Sequence, residues 1–246
     1  MTDALYLAMA GAKQTMIAQT VNANNLANVS TPGFRADLFN ANRVSVQGDT
    51  FNSDVYVTSE QAVSNFAAGT IKTTGRDLDI AINGEGWLAV SSADGKEAYT
   101  RAGSLFINEA GQLFTATGQA VLGNGGPISI PPAEQMTIAN DGTITIRPIG
   151  QDATILTVVD RIKLVNPDNS ALSKGKDGLF YSKNGAQQPA DASVQINSQA
   201  LESSNVSGVD AMINIISLAR QFEMQVKMMQ QTDSNGQALA QLLQNT

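Results

Sequence analysis

The 246-residue chain contains no cysteine and no histidine. That excludes disulfides, thiol nucleophiles, Cys/His zinc sites and every catalytic triad built on an imidazole base. Aromatic residues make up only 5%, so the chain is better suited to backbone and amide contacts than to an aromatic-lined pocket. Cationic residues are few: 15 Lys+Arg stand against 22 Asp+Glu, a net charge of −7. There is no basic block and no basic amphipathic helix, which argues against nucleic acid or an anionic membrane surface as a partner. No apolar run reaches the ~18 residues of a membrane span, and no membrane insertion is expected. The opening "MTDALYLAMAGAKQT" has neither a basic n-region nor a compact apolar h-region, so a cleaved secretory signal is not expected. Taken alone, these absences point to the cytosol.

What is present is helical at both ends. From Asp3 to Asn28 there is no proline and a single glycine, Gly11. Leu5, Met9, Ala12, Met16, Gln19, Ala23 and Leu26 recur in steps of three and four, a narrow seam closer to a coiled-coil stripe than to a broad globular face. At the other end, Met212, Ile215, Ala219, Phe222, Val226 and Met229 repeat that spacing, which resumes weakly at Ala240 and Leu243. Ser207 or Asp210 is the expected N-cap. A helix over 209–244 is roughly 50 Å long at ~1.5 Å per residue, with Gly236 as its weakest point.

Between the ends the period changes to two. "LDIAINGEGWLAV", "GSLFINEAGQLFTATG" and "TIANDGTITIRP" place Asn-Gly, Ala-Gly and Asp-Gly between β-prone runs, and "TILTVVDRIKLV" adds another, a pattern of successive hairpins. The expected fold is therefore α+β and discontinuous. Long N- and C-terminal α-helices form a coiled-coil-like core domain (1–35 plus 205–246), a connector covers 36–70, and an antiparallel β domain covers 71–204. Such helices can pair with each other within one chain or with other chains; their length favours partners.

Candidate chemistry is thin. "GEGWLA" at Gly84–Ala89 spells a dinucleotide-type glycine pattern, but leads into a strand where a phosphate site needs a helix N-terminus. Trp87 there is expected to anchor a core. "SKGK" at Ser173–Lys176 has the spacing of a Ser/Lys acyl-transfer pair but sits in a turn without the second motif. Asp77 and Asp79, with Glu85 nearby, lack the cadence of a calcium loop and are expected on a solvated strand face. No catalytic, metal or cofactor-binding residue is assigned, and no cofactor is expected.

The segment "NANNLANVSTPGFRADL", residues 22–38, crowds Asn22, Asn24, Asn25 and Asn28 into a helix end although asparagine is a poor helix former. Thr31-Pro32 stops the helix; Gly33 then offers a turn with positive φ and Phe34 an apolar anchor. A simple stop explains Pro32 and Gly33 but not four asparagines. Because each amide both donates and accepts, Asn24, Asn25 and Asn28 are expected to bridge neighbouring subunits.

With those residues in view, the sequence resembles the flagellar basal-body rod proteins. "NNLANVSTPGF" (24–34), "LESSNVSGVDAMINIISLARQFEMQVKMM" (201–229) and the middle from "DLDIAINGEGWLAV" to "GQAVLG" carry the resemblance in order over most of the chain. Pro32 and "ISLARQFEMQVKMM" look like the proximal-rod members; a distal rod or hook subunit is the alternative within the family. The resemblance implies a non-enzymatic structural subunit exported by the flagellar type III apparatus without a cleaved signal. It would polymerise in the periplasm with copies of itself and other rod proteins into the drive shaft that carries torque from motor to hook. The residues expected at subunit interfaces are Leu5, Met9, Ala12, Met16, Asn24, Asn25, Leu26, Asn28, Pro32, Gly33 and Phe34, with Met212, Ile215, Ala219, Phe222, Val226 and Met229. A secreted β-domain hydrolase or ligand-binding protein with helical arms is the reading from outside the family.

Overall fold

The computed structural model describes residues 2–46, 54–59, 63–150 and 156–244. The chain divides into two compact units, one of Met1–Val29, Ala36–Asn65 and Val206–Thr246, the other of Ser30–Arg35 and Phe66–Asn205.

The first unit carries α1 (Thr2–Ala27) and α2 (Gly208–Gln244), with four strands between them in sequence: β1 (Asp37–Leu38), β2 (Ala41–Val46), β3 (Asp54–Ser59) and β4 (Val63–Ser64). β2 and β3 form an antiparallel pair from Ala41↔Ser59 to Val46↔Asp54, and β1 pairs with β4. Ser207 caps α2, its hydroxyl accepting from the Asp210 amide at 3.4 Å and its carbonyl from Ala211 at 3.0 Å. The helix continues through Gly236.

The two helices run antiparallel. Gly11 and Thr15 face Gln225, while Val29 meets Gly208. On α1 the buried residues are small, Ala8, Ala12, Thr15 and Ala18, and on α2 Ala211 is buried. A Cβ on Gly11 would lie 2.9 Å from Gln225 Nε2, and the Thr15 hydroxyl donates to Gln225 Oε1 at 3.1 Å.

This corrects the expected coiled-coil-like helical core. Leu5, Met9 and Met16 on α1 and Met212 on α2 are 41–56% exposed, so the large apolar residues of the α1 seam lie outside the helix contact, about one helical step round from the small-residue face. Ile215, Ala219, Phe222, Val226 and Met229 are half-buried on the side of α2 that carries Gln225. The side chains of Ala240 and Leu243 lie outside the described residues. The physical reason is the choice of surface: small side chains allow a closer approach, and a single partner helix covers only one stripe. The apolar core of the protein is built from strands instead.

The second unit holds β5 (Ile71–Thr73), β6 (Ile80–Asn83), β7 (Trp87–Ser91), β8 (Glu97–Thr100), β9 (Leu105–Ile107), β10 (Leu113–Thr115) and β11 (Ala120–Val121). It continues with β12 (Ala133–Ile138), β13 (Thr143–Pro148), β14 (Thr157–Arg161), β15 (Leu164–Val165), β16 (Leu172–Lys174), β17 (Phe180–Ser182), β18 (Gln195–Ser198) and β19 (Ala200–Glu202). An eight-stranded sheet runs β16-β17-β8-β7-β11-β10-β9, with β15 also on β7; β12-β13-β14 form a second sheet, and β18-β6 and β19-β5 form pairs. β9–β10 and β12–β13 are the hairpins expected at Ala110-Gly111 and Asp141-Gly142.

Asn83-Gly84 is not a hairpin turn. β6 pairs with β18, and β7 with β8, β11 and β15. Gly84 and Gly86 take φ of 79° and 127°, and a Cβ on Gly86 would lie 2.6 Å from Val194 Cγ1. The glycines turn the chain from one strand pair into another sheet, and at Gly86 the Val194 side chain leaves no room for a Cβ.

Alternating inward positions of these strands build the main core: Ile80, Ile82, Leu88, Val90, Leu113, Ile144, Ile146 and Leu164 are among its residues. A smaller core surrounds Trp87, whose ring lies 4.6 Å from that of Phe180 and 6.0 Å from that of Phe66. Beside it, Lys163 pairs with Glu97 at 2.7 Å, and the Tyr99 hydroxyl donates to Glu97 at 3.0 Å. Burial, reinforced by the Glu97 charge, pushes the Tyr99 phenol up to about 12. A raised folded-state pKa gives stability that is whole below the unfolded value near 10 and is lost as pH rises toward about 12. In an alkaline titration followed by phenolate absorbance, one of the four tyrosines is therefore expected to ionise last, together with loss of native β structure. Replacing Tyr99 with phenylalanine should remove that late step.

Candidate functional site

The helix stop at Thr31-Pro32 delivers Gly33, Phe34 and Arg35 into the β unit. Gly33 has φ 70°, and a Cβ there would lie 2.2 Å from the Arg101 carbonyl carbon and oxygen. Its amide donates to the Glu202 carbonyl at 2.8 Å, and the Asn205 amide donates to the Phe34 carbonyl at 3.3 Å. Lys174 donates to the Arg35 carbonyl at 2.8 Å and lies 4.2 Å from the centre of the Phe34 ring, a cation–π contact. The segment after α1 is thus zipped along the one that precedes α2.

Beneath it lies a single buried carboxylate. On β19, Ala200 and Glu202 share the buried face, so the alternation of the strand points the Glu202 carboxylate inward. Its Oε1 meets Arg35 Nη1 at 2.7 Å and accepts from the Gly69 amide at 2.8 Å; its Oε2 accepts from Arg101 Nη1 at 3.1 Å. The Arg35 and Glu202 side chains are each 1% exposed. Arg101 also donates to the Gly84 carbonyl at 2.7 Å, and its guanidinium carbon lies 5.5 Å from the Trp87 ring centre. Burial pushes the Arg101 guanidinium down from its ordinary pKa, with the Glu202 charge opposing that shift. Two cations share one anion, and neither Arg35 Nε nor Arg101 Nε finds an acceptor among the described residues. Glu202 therefore gathers three stretches of chain, 33–35, 66–69 and 202–205, each leading to a point where the chain leaves the β unit. The Glu202 carboxylate is taken up by two guanidinium groups and the Gly69 amide, so the arrangement's capacity is to hold chain ends.

In the helical unit, Asn25 is buried and its amide is used within the chain. Its Nδ2 donates to the Asp37 carbonyl at 2.7 Å and its Oδ1 accepts from the Asp37 amide at 2.9 Å, as a β-strand neighbour would. Asn22 and Asn28 donate to the carbonyls of Ala18 and Asn24 at 3.1 and 2.9 Å, four residues back on α1. Asn24 is exposed; Leu26, Asn28, Pro32 and Phe34 are half-buried. Asn25→Ala removes two bonds from a buried site, and a loss of about 1–3 kcal/mol is expected. It should be read as earlier thermal loss of helical circular dichroism, with the β unit's Trp87 fluorescence transition unmoved.

Three flagellar family models match the chain. The model described as flagella basal body rod protein matches residues 5–35, flagellar hook protein FlgE/F/G D1 domain matches 81–146, and flagellar basal body rod FlgEFG protein C-terminal matches 197–242. Flagellar basal-body rod protein FlgF of Escherichia coli (strain K12) is 41% identical over 99% of both chains, as is its counterpart from Salmonella typhimurium. The chain belongs to the FlgF family of flagellar basal-body rod proteins. Similarity extends to the sibling FlgG of Bacillus subtilis, 31% identical over 98% of this chain and 99% of that one.

The first and third matched segments contain most of α1 through Arg35, and Glu202 with most of α2, so both partners of the buried Arg35–Glu202 ion pair fall inside them. Sequence reasoning missed Arg35, Arg101, Glu202 and Lys174. The available signals were a charge directly after Gly33-Phe34 and an acidic residue at an inward position of a β-prone run. The other motifs are absorbed by the fold. Gly84–Ala89 runs into β7 and Ser173 lies within β16. Asp79 is buried against Arg76 at 3.2 Å, contrary to a solvated face, while Asp77 accepts from Gln199 at 2.7 Å.

Proposed function

We propose that this chain is a structural subunit of the proximal part of the flagellar basal-body rod, built into the axial shaft that carries torque toward the hook. The observation that carries this reading is the surface of the helices. Ile213, Ile216, Met224 and Met228 are 56–60% exposed on the side of α2 away from α1, which makes α2 apolar on both sides. Leu5, Tyr6, Met9 and Met16 are likewise exposed on α1. Large apolar residues concentrated on long helices mark surfaces that another chain covers. Here the neighbours are copies of the chain and other rod proteins.

In this reading the helices supply the axial contacts, with Asn24 and Asn28 at their edge. The Glu202 cluster keeps the β unit's outgoing chain segments fixed under load. Export through the flagellar type III apparatus and assembly across the periplasm follow from the same role. The test is genetic complementation. Deleting the gene should leave truncated basal bodies and abolish swimming, and restoring this chain alone should rebuild both. Complete rods in the deletion strain would contradict the proposal.

A further inference from the structure

Sulfur in this chain is methionine only, since cysteine is absent. Of the eight methionines, Met9, Met16, Met212, Met224 and Met228 are 53–60% exposed, and all five lie on α1 or α2. Met136 in the β unit and Met229 on the inner side of α2 are half-buried. Among the described residues, the thioethers most open to solvent thus occupy the apolar helix surfaces discussed above. A thioether is polarizable and fills an apolar contact well, whereas its sulfoxide is polar and disrupts such contacts.

We propose that these five methionines are oxidation sites at which a hydroperoxide closes the chain to docking before assembly. The sulfur lone pair attacks one peroxide oxygen and the O–O bond breaks. The sulfur gains that oxygen as a sulfoxide and is oxidised by two electrons, while hydrogen peroxide is reduced to one water. A thiol-dependent sulfoxide reductase reverses the change. Once a neighbouring chain covers the sulfurs, peroxide no longer reaches them, so unassembled chains are sensitive and assembled ones are protected. The docking half of this inference rests on the proposed rod function; the reactivity half does not.

The experiment uses the purified full chain in three forms: untreated, treated with hydrogen peroxide, and treated with peroxide followed by methionine sulfoxide reductases. Peptide mass spectrometry times sulfoxide formation at each methionine. Co-sedimentation with basal bodies from a strain lacking the chain reads docking. The five exposed methionines are expected to oxidise before Met136 and Met229. Docking should weaken roughly tenfold for each oxidised methionine that a neighbour covers, and reductase should restore it. Oxidised chain that co-sediments like untreated chain, or Met136 and Met229 reacting first, overturns the inference. Untreated chain that fails to co-sediment contradicts the docking surface itself, and the order of oxidation still decides the reactivity claim.

Discussion

Glu202→Ala is expected to destabilise the β unit by about 3–5 kcal/mol, the cost of removing one partner from a buried ion pair. The residue left behind would be alanine beside two guanidinium groups with no anion between them. Arg35, 1% exposed, has no path to water without moving the segment after α1. The Gly69 amide would lose its acceptor as well. Glu202→Gln keeps an oxygen for Gly69 but drops the charge, so it should fall between wild type and alanine. Denaturant unfolding followed by the fluorescence of the single tryptophan, Trp87, reads the change, because Trp87 lies under Arg101. A loss below about 1 kcal/mol in Glu202→Ala, the level of an exposed pair, would mean that the cluster is solvated and holds nothing.

The second large effect is expected at Gly33. Gly33→Ala combines a left-handed backbone, φ 70°, with a Cβ 2.2 Å from the Arg101 carbonyl. Strained positions of this kind cost ~1–3 kcal/mol, and the backbone clash places Gly33 at the upper end. Gly75 separates the two causes. Its φ is 76° but no atom lies within 4 Å of an added Cβ, so Gly75→Ala should cost only the left-handed penalty of about 1–2 kcal/mol. Equal losses at the two sites would show that backbone conformation alone matters and that Phe34 and Arg35 are not held by close docking of Gly33.

Much of the fold could be read from spacing. Steps of three and four marked both helices because residues that share one side of a helix recur at its period. Alternation with Gly-containing turns marked β9–β10 and β12–β13 because those hairpins are local. The errors have physical causes. Heptad-like spacing predicts a coiled-coil-like core, but of the α1 seam only Ala12 is fully buried, together with Ala8, Thr15 and Ala18, while Leu5, Met9 and Met16 stay exposed. Asn83-Gly84 looked like a hairpin turn because dipeptide chemistry does not reveal which strand lies alongside. Arg35, Arg101 and Glu202 carry no mutual spacing at all, and only the pairing of β19 with β5 and the docking of the segment after α1 bring them to one carboxylate. Asn25 was recognised as unusual for the right reason, an amide able to donate and accept at once, but it spends that capacity on Asp37 in its own chain.

The exposed face of α2 is where the functional reading is most directly open to measurement, and the absence of cysteine makes the experiment clean. Met224→Cys places a single thiol at a position 60% exposed in the isolated chain. A water-soluble maleimide should label it rapidly in the purified monomer and be excluded from it in intact basal bodies, where a neighbouring helix covers the face. Equal labelling of monomer and assembled rod would contradict an interface on this side of α2 and, with it, the proposed way in which the subunit is built into the shaft.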